Sequence, residues 1–414
     1  MIHEKKLSDL AIFGGISAFH NKLHVGRPNI GDKKRIFERI NDLLDRKWLT
    51  NNGPYVLEFE REIAEFIGAR NCIATSSGTM ALEIAIKALG LKGDVIIPSF
   101  TFIATAHALL WLGIKPVFCD INPKTYNIDI YRIKELINSQ TTGIIGVHVW
   151  GRPCEIEALT EIAKQKNLKL LFDAAHSFGN SFNGKMIGSF GNAEVFSFHA
   201  TKVINSFEGG CIVTNDNELA SKIRLVRNFG FAGYDNVVCI GINGKMNEAS
   251  AAMGITSLES LEEFITANHQ NYKAYKQNLS DIPGISLMNY NENEKCNYQY
   301  IVIEIDESIT NINRDTLVEI LHAENVIARR YFFPACHKME PYFSIYPNAG
   351  DRLPETEKIA SRIICLPTGT DISTDEVRGI CHILRFVIEN GKEINKKLYD
   401  HPTYLNHFQT SNKF

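Results

Sequence analysis

Hydrophobic and polar positions switch repeatedly between two periods along the first two thirds of the chain. Short apolar runs, typical of buried strands, alternate with longer stretches in which apolar residues recur at helical spacing. The predicted strands are 71–75, 94–97, 115–119, 143–149, 168–172, 194–198 and 211–214, and the predicted helices are 31–47, 55–67, 80–89, 102–112, 131–138, 155–166 and 216–227. This alternation predicts βαβ units and a mainly parallel sheet. The last two strands are joined by a loop without a helix, so that pair could be antiparallel.

The pattern changes after residue 245. A long helical stretch at 247–279 leads to shorter strands, at 298–305 and near residue 327, and to helices at 315–324 and 374–390. This mixture predicts a smaller α+β domain. The predicted division is an N-terminal arm and helix (1–54), a large α/β domain (55–270), a small C-terminal domain (271–400) and a tail (401–414).

Net charge, the length of the apolar runs and cysteine spacing argue against several classes of protein. The chain has 414 residues and a net charge of −3, which argues against a general nucleic-acid or anionic membrane surface as partner. The first residues lack the apolar core of a signal peptide, and the longest apolar runs are shorter than a membrane span. The nine cysteines contain no CxxC pair, which favours reduced thiols in the cytoplasm over disulfides or a metal site.

One lysine stands out by its position. Lys202 lies in a polar loop between the apolar strand 194–198 and the run that follows Glu208-Gly209-Gly210. A lysine that closely follows a buried strand in the chain can be desolvated, which lowers the pKa of its amine and makes the amine nucleophilic. Taken alone, a solvated surface lysine is the commoner explanation.

Three further segments follow strands of the predicted sheet. Ser77-Gly78-Thr79 precedes a helix, where free N–H groups suit a phosphate, although an ordinary N-cap explains the same residues. Asp173 ends a strand and His176 follows it, while Phe102 follows Pro98-Ser99-Phe100-Thr101; each alone has a structural explanation. Together, a phosphate cradle, a flat aromatic, a carboxylate and a lysine are the parts of a pyridoxal phosphate site.

The chain resembles the DegT/DnrJ/EryC1/StrS sugar aminotransferases, which have the type I aspartate-aminotransferase fold. The resemblance covers nearly the whole chain. The motifs that carry it are Ser77-Gly78-Thr79-Met80-Ala81-Leu82, Pro98-Ser99-Phe100-Thr101-Phe102-Ile103-Ala104-Thr105, Asp173-Ala174-Ala175-His176, Ser197-Phe198-His199-Ala200-Thr201-Lys202 with Glu208-Gly209-Gly210, and Gly241-Ile242-Asn243-Gly244-Lys245-Met246.

The resemblance implies roles for individual residues. Lys202 would bond to the cofactor aldehyde and act as general base, Asp173 would face the pyridine nitrogen, and His176 would stand near the ring hydroxyl, where many members have Gln. Phe102 would stack on the ring, and Gly78, Thr79 and Ser197 would hold the phosphate. Asn243 would reach the phosphate of the neighbouring subunit, which makes a homodimer the catalytic unit. Lys245 replaces a more usual Arg, which puts the bidentate contact of that Arg in doubt.

The segment 328–342, together with 23–29, resembles the branch of this family that makes dTDP-4-amino-4,6-dideoxyglucose. Its predicted substrate-binding residues are Arg329, Arg330, Tyr331, His337 and Lys338. The cations suit a diphosphate and the aromatics suit a sugar or base face, although a solvated basic turn has the same composition. The implied substrates are dTDP-4-dehydro-6-deoxyglucose and an amino-acid donor, glutamate by resemblance, for a surface glycan such as O-antigen.

Three alternatives remain open from the sequence. One is a perosamine-type or 3-keto-sugar aminotransferase, which would differ in the substrate pocket. Another is a dehydratase, although relatives of that kind carry His where this chain has Lys202. The third is an effector-binding module without catalysis, against which the set Asp173, His176 and Lys202 argues.

Overall fold

The computed structural model describes residues 6–401. Its strands are β1 (Leu23–His24), β2 (Asn71–Thr75), β3 (Asp94–Pro98), β4 (Lys115–Cys119), β5 (Thr141–Val147), β6 (Lys169–Asp173), β7 (Ser181–Phe182), β8 (Lys185–Met186), β9 (Ala193–Ser197), β10 (Gly210–Thr214), β11 (Ile285–Leu287), β12 (Ile301–Ile305), β13 (Val326–Ile327) and β14 (Ile363–Leu366). Its α-helices are α1 (Lys33–Arg46), α2 (Pro54–Ile67), α3 (Gly78–Leu89), α4 (Ala104–Trp111), α5 (Ile130–Leu136), α6 (Ile156–Gln165), α7 (Asn217–Arg227), α8 (Glu248–Glu259), α9 (Leu261–Leu279), α10 (Glu307–Thr310), α11 (Arg314–Ala323), α12 (Tyr342–Ile345), α13 (Pro354–Ala360), α14 (Thr374–Glu389) and α15 (Gly391–Asp400). No helix within residues 6–401 is both long and apolar enough to cross a bilayer.

A seven-stranded sheet organises the first two thirds of the chain. Its strand order is β2-β10-β9-β6-β5-β3-β4. β10 pairs antiparallel with both of its neighbours, and the other adjacent pairs are parallel. The mainly parallel sheet and the antiparallel return after the Lys202 loop are therefore confirmed. The carboxyl ends of β2, β3, β5, β6 and β9 consequently meet along one edge, where open α/β sheets bind ligands.

Helices cover both faces of this sheet because its strands are apolar on both sides. One buried cluster joins the sheet to α2, α6 and α8 through Phe59, Leu159 and Ile255. A second cluster joins the opposite face to α3, α4 and α7. The three layers hold the sheet rigidly, so the loops at its carboxyl edge start from fixed positions.

The C-terminal region packs around a second, antiparallel sheet with the order β11-β12-β14. Helices α11 and α14 contribute to its core, and Leu10 and Ile12 of the N-terminal arm are buried in the same cluster. The expected α+β mixture is present here. The predicted boundary at residue 270 lies inside the continuous helix α9, and the division into domains stays a prediction.

The predicted helix 247–279 is wrong as a single element. It is two helices, α8 and α9, separated at Ser260, whose backbone (φ −100°, ψ 5°) is not helical. The Ser260 backbone N–H donates to the Ser257 carbonyl at 3.2 Å, three residues earlier instead of four, so the α-helical pattern ends there. Helix α15 was not predicted either, since Gly391 begins it. Residues 402–414 of the predicted tail lie outside the described residues.

A buried ion pair ties α2 to α7 beneath the sheet edge. The Arg227 guanidinium, 2% exposed, donates to Glu60 Oε1 at 2.6 Å and to the Ala74 carbonyl at 2.8 Å. Glu60 also accepts from the half-exposed Arg224 at 2.8 Å. Because the Arg227 guanidinium and the Glu60 carboxylate are both buried, the attraction between them offsets the cost of removing each charge from water.

We expect Arg227→Met to lower the free energy of unfolding by about 3 kcal/mol, since it leaves the buried Glu60 carboxylate undercompensated. Urea unfolding followed by circular dichroism measures the loss. Arg132→Met is the control, because the Arg132–Glu135 pair is exposed and its removal should leave the unfolding midpoint unchanged. Equal losses in the two variants would contradict a stabilising role for the buried pair.

Candidate active site

A cavity of 230 Å³ opens at the carboxyl edge of the seven-stranded sheet. Its wall brings together eight of the nine predicted cofactor residues, which are Ser77, Gly78, Thr79, Phe102, Asp173, His176, Ser197 and Lys202. They come from the loops after β2, β3, β6 and β9, so parallel strand order, rather than closeness in sequence, is what assembles them.

Lys202 reaches the cavity from the loop after β9. Its backbone N–H donates to the His199 carbonyl at 2.9 Å, which closes a turn, and its Nζ donates to the Tyr300 hydroxyl at 3.2 Å. Burial lowers the pKa of the Lys202 amine to about 8, and the negative charge of Asp173 opposes part of that shift. An amine with this pKa is partly unprotonated near neutral pH, which suits a nucleophile or a base.

Asp173 is the last residue of β6 and is buried at the floor of the cavity. Its Oδ2 accepts a hydrogen bond from the Thr105 hydroxyl at 2.8 Å, and its Oδ1 accepts from the Ala175 backbone N–H at 3.1 Å. Burial raises the pKa of this carboxyl above its ordinary value, while the bonds from Thr105 and Ala175 oppose the rise. The two donors therefore favour an ionised carboxylate despite its burial.

His176 is held in one orientation and one tautomer. Its Nδ1 accepts the Trp150 backbone N–H at 3.2 Å, so the ring proton of the neutral imidazole is on Nε2. The ring stacks on Phe332, with the two planes 5° apart, and lies 4.7 Å from the Tyr300 ring. Burial, with a smaller contribution from the charge of Lys202, holds the pKa of His176 well below its ordinary value. His176 is thus a neutral hydrogen-bond donor.

The start of α3 forms a cradle for an anion. Ser77 caps the helix by accepting the Met80 N–H, which leaves the first backbone N–H groups, those of Gly78 and Thr79, outside the helical pattern. A Cβ on Gly78 would lie 2.8 Å from Ser197 Cβ, and one on Gly210 would lie 2.7 Å from the Gly78 nitrogen. Glycine is therefore needed at 78 and 210, where the start of α3 approaches the end of β9 and the start of β10. The free N–H groups of this helix start suit a phosphate.

The ninth predicted cofactor residue lies elsewhere on the chain. Asn243 is exposed, does not line the cavity, and pairs with Asn228 through an isolated bridge. The nearby Lys245 donates to Asn228 Oδ1 at 3.0 Å and lies 4.9 Å from the Phe229 ring centre. The side chain is thus held within its own subunit.

Of the five predicted substrate residues, only Tyr331 lines the cavity. The Arg329 guanidinium lies 5.0 Å from the Tyr331 ring centre. The structure does not bring the other three residues, Arg330, His337 and Lys338, to the cavity wall.

Each of those three already has an anionic partner. Arg330 is 2.7 Å from Asp315 Oδ1, and Lys338 is 2.9 Å from Glu357 Oε1. His337 is buried, with Nδ1 2.7 Å from Ser99 Oγ and Nε2 3.1 Å from Glu357. Arg330 and Lys338 therefore have carboxylate partners within the chain, and burial lowers the pKa of His337 below its ordinary value. No cluster of three or more potential metal ligands occurs within residues 6–401.

Sequence reasoning missed several residues of the cavity. Thr105 lies behind the cavity wall and bonds to Asp173, but no sequence pattern showed which way its hydroxyl points. Tyr300 and Phe332 enter from the C-terminal region, about 100 residues or more beyond Lys202, and looked like ordinary core aromatics. Only the tertiary fold brings them to the lysine and the imidazole.

Comparison with known proteins gives a consistent result. Residues 31–385 match the model of the DegT/DnrJ/EryC1/StrS aminotransferase family. The chain is 38% identical to dTDP-4-amino-4,6-dideoxy-D-glucose transaminase of Shigella dysenteriae, covering 90% of this chain and 99% of that protein. It is 35% identical to the transaminase of the same name from Escherichia coli, covering 87% and 97%.

A solved structure is similar over nearly the same length. The crystal structure of DesI in the presence of its TDP-sugar product has a TM-score of 0.90 and 45% identity, and the match covers 95% of this chain and 99% of that one.

The lowered pKa of Lys202 predicts how its amine reacts. Below pH 8 the amine is mainly ammonium, and above it mainly free base, so labelling of Lys202 by trinitrobenzenesulfonate should rise with a midpoint near pH 8. Asp173→Asn removes the charge that raises this pKa, so the midpoint should move to lower pH. Mass spectrometry of the labelled peptide measures both.

Asp375→Asn is the control, since this side chain is 82% exposed on α14 and is not among the groups that shift the Lys202 pKa. A wild-type midpoint at the ordinary lysine value of 10.5 would contradict the desolvated amine.

Proposed function

The chain belongs to the DegT/DnrJ/EryC1/StrS aminotransferase family, and on that premise we propose that it is a pyridoxal-phosphate-dependent sugar nucleotide 4-aminotransferase. The proposed reaction converts dTDP-4-dehydro-6-deoxy-D-glucose and L-glutamate to dTDP-4-amino-4,6-dideoxy-D-glucose and 2-oxoglutarate. The observation that carries it is one cavity holding both a desolvated lysine, Lys202, and a hydrogen-bonded carboxylate, Asp173. The substrate is proposed from the two relatives named dTDP-4-amino-4,6-dideoxy-D-glucose transaminase.

The donor set of the cavity fits this cofactor. The N–H groups of Gly78 and Thr79, with the hydroxyls of Ser77 and Ser197, suit the phosphate. Asp173 suits a protonated pyridine nitrogen, and the Nε2–H of His176 suits the ring hydroxyl. Phe102, 54% exposed and at the cavity, offers a flat face for the ring. When bound, pyridoxal phosphate supplies an aldehyde that bonds to amines and a ring that withdraws electrons from the attached carbon.

The residues of the chain then have distinct tasks. The Asp173 carboxylate holds a proton on the ring nitrogen, because its own burial makes an adjacent positive charge favourable. Lys202, once its amine is unprotonated, takes a proton from one carbon of the reacting molecule and returns a proton to a second carbon. The Tyr300 hydroxyl, 3.2 Å from Nζ, holds the amine at one position in the cavity during both transfers. His176 donates a hydrogen bond through its Nε2–H and stays neutral, because burial holds its pKa well below the ordinary value.

A homodimer is part of the proposal. Exposed large apolar side chains are concentrated in the loop that leads to Asn243, and they are Phe229, Phe231, Tyr234, Val237, Val238, Ile240 and Ile242. A contiguous exposed apolar patch marks an interaction surface. A second copy seated there would cover the patch and carry Asn243 toward the phosphate cradle of its neighbour.

We place the reaction in the cytoplasm, as a step toward O-antigen or a related surface glycan. The nine cysteines are free thiols, seven of them buried, which is consistent with a reducing compartment.

The proposed substrate is tested by adding glutamate and dTDP-4-dehydro-6-deoxyglucose to the purified holoenzyme and identifying the product by NMR. We expect a 4-amino sugar with the glucose configuration. GDP-4-dehydro-6-deoxymannose is the parallel substrate, and we expect turnover of it to be at least about tenfold slower, a difference of one lost polar contact. Preference for the GDP sugar would overturn the substrate and leave the aminotransferase class intact.

The shared site is tested by complementation between two defective subunits. Lys202→Ala removes the amine, and Asn243→Asp puts a negative charge beside the partner's phosphate, so each homodimer should be inactive. Co-expressed with different tags, the mixed dimer has one site with both residues intact and should recover activity.

Asn236→Asp, an exposed change in the same loop, should stay active by itself. Absence of activity in the mixed dimer would contradict a site built from two chains.

A further inference from the structure

The hydroxyl of Thr105 makes a contact across the fold. Threonines deeper inside helices, such as Thr160 and Thr256, donate back to the carbonyl four residues earlier. Thr105 is the second residue of α4, so the residue four positions earlier, Thr101, precedes the helix. Its hydroxyl donates to Asp173 Oδ2 at 2.8 Å, across 68 residues of sequence.

A second threonine extends this bond, and the carboxylate fixes the direction of both contacts. Thr101 Oγ1 lies 3.0 Å from Thr105 Oγ1, and both side chains are buried. An ionised carboxylate can only accept, so the single hydroxyl proton of Thr105 goes to Asp173. The contact with Thr101 must then use the Thr101 proton. The result is a directed chain from Thr101 through Thr105 to Asp173, in which each bond polarises the next.

We propose that Thr105 is a positioning residue for the proposed reaction, holding the Asp173 carboxylate ionised and oriented toward the pyridine nitrogen of the bound cofactor. With Thr105 on Oδ2 and the Ala175 N–H on Oδ1, each oxygen is held by one donor and the plane of the carboxylate is fixed. The remaining lone pairs are left for the cavity, which Asp173 lines. This inference rests on the proposed function, since it requires pyridoxal phosphate.

The test uses the holoenzyme loaded with pyridoxal phosphate labelled with ¹⁵N in the ring, because the ¹⁵N chemical shift distinguishes a protonated from an unprotonated pyridine nitrogen. Thr105→Val keeps the shape and removes the hydroxyl. We expect its signal to move toward the unprotonated position and kcat to fall about tenfold to hundredfold, the effect of losing one hydrogen bond to a charged group. The KM for glutamate should change far less.

Thr105→Ser is the matched control, which keeps the hydroxyl and should keep both the protonated signal and kcat near wild type. If the valine variant fails to fold, Thr105→Ala and Thr105→Ser form the comparison, since both lack the methyl group and differ by one hydroxyl. A protonated signal with near-normal kcat in the variant without the hydroxyl would overturn the inference alone. A wild-type protein that takes up no cofactor would overturn the proposed function as well.

Discussion

An amine and a carboxylate share one poorly solvated cavity, and burial shifts the pKa of each while the charge of the other opposes that shift. Burial pushes the Lys202 amine toward its neutral form and pushes the Asp173 carboxyl toward its acid form. Their opposite charges resist both shifts, and two hydrogen bonds add to the resistance at Asp173. The balance leaves a lysine that titrates near neutral pH beside an acid whose donors favour the charged form. Both properties depend on the loops being held at fixed distances.

The parallel sheet provides that fixed geometry. Asp173 ends β6 in register with Val147 of β5 and Val195 of β9, so its position follows from strand pairing alone. The C-terminal region closes the site from the other side, since Tyr300 contacts Lys202 and Phe332 stacks on His176. The site therefore needs both regions of the chain, and loss of packing between them would release the lysine and the imidazole together.

The mainly parallel sheet and the residues that follow each strand were predictable from the sequence, because buried strands alternate with amphipathic helices, whereas the order of the strands in the sheet was not predicted. The break at Ser260 was not predicted either, because the helical spacing continues on both sides of it and the backbone bond of Ser260 to the Ser257 carbonyl leaves no sequence signal. Thr105 and Tyr300 were missed for a different reason, since the direction of a hydroxyl is set by tertiary contacts. The role of the basic segment around His337 in substrate binding stays a prediction, and the contacts of His337 and Lys338 with Glu357 are a local pairing that its composition did not indicate.

The most direct test of the central claim is to identify which lysine binds the cofactor. The protein is incubated with pyridoxal phosphate, reduced with borohydride to make the bond permanent, digested and sequenced by mass spectrometry. The account predicts that the label is on Lys202, because burial lowers the pKa of its amine to about 8 against the opposing charge of Asp173. Label on another lysine, or no label, would contradict it.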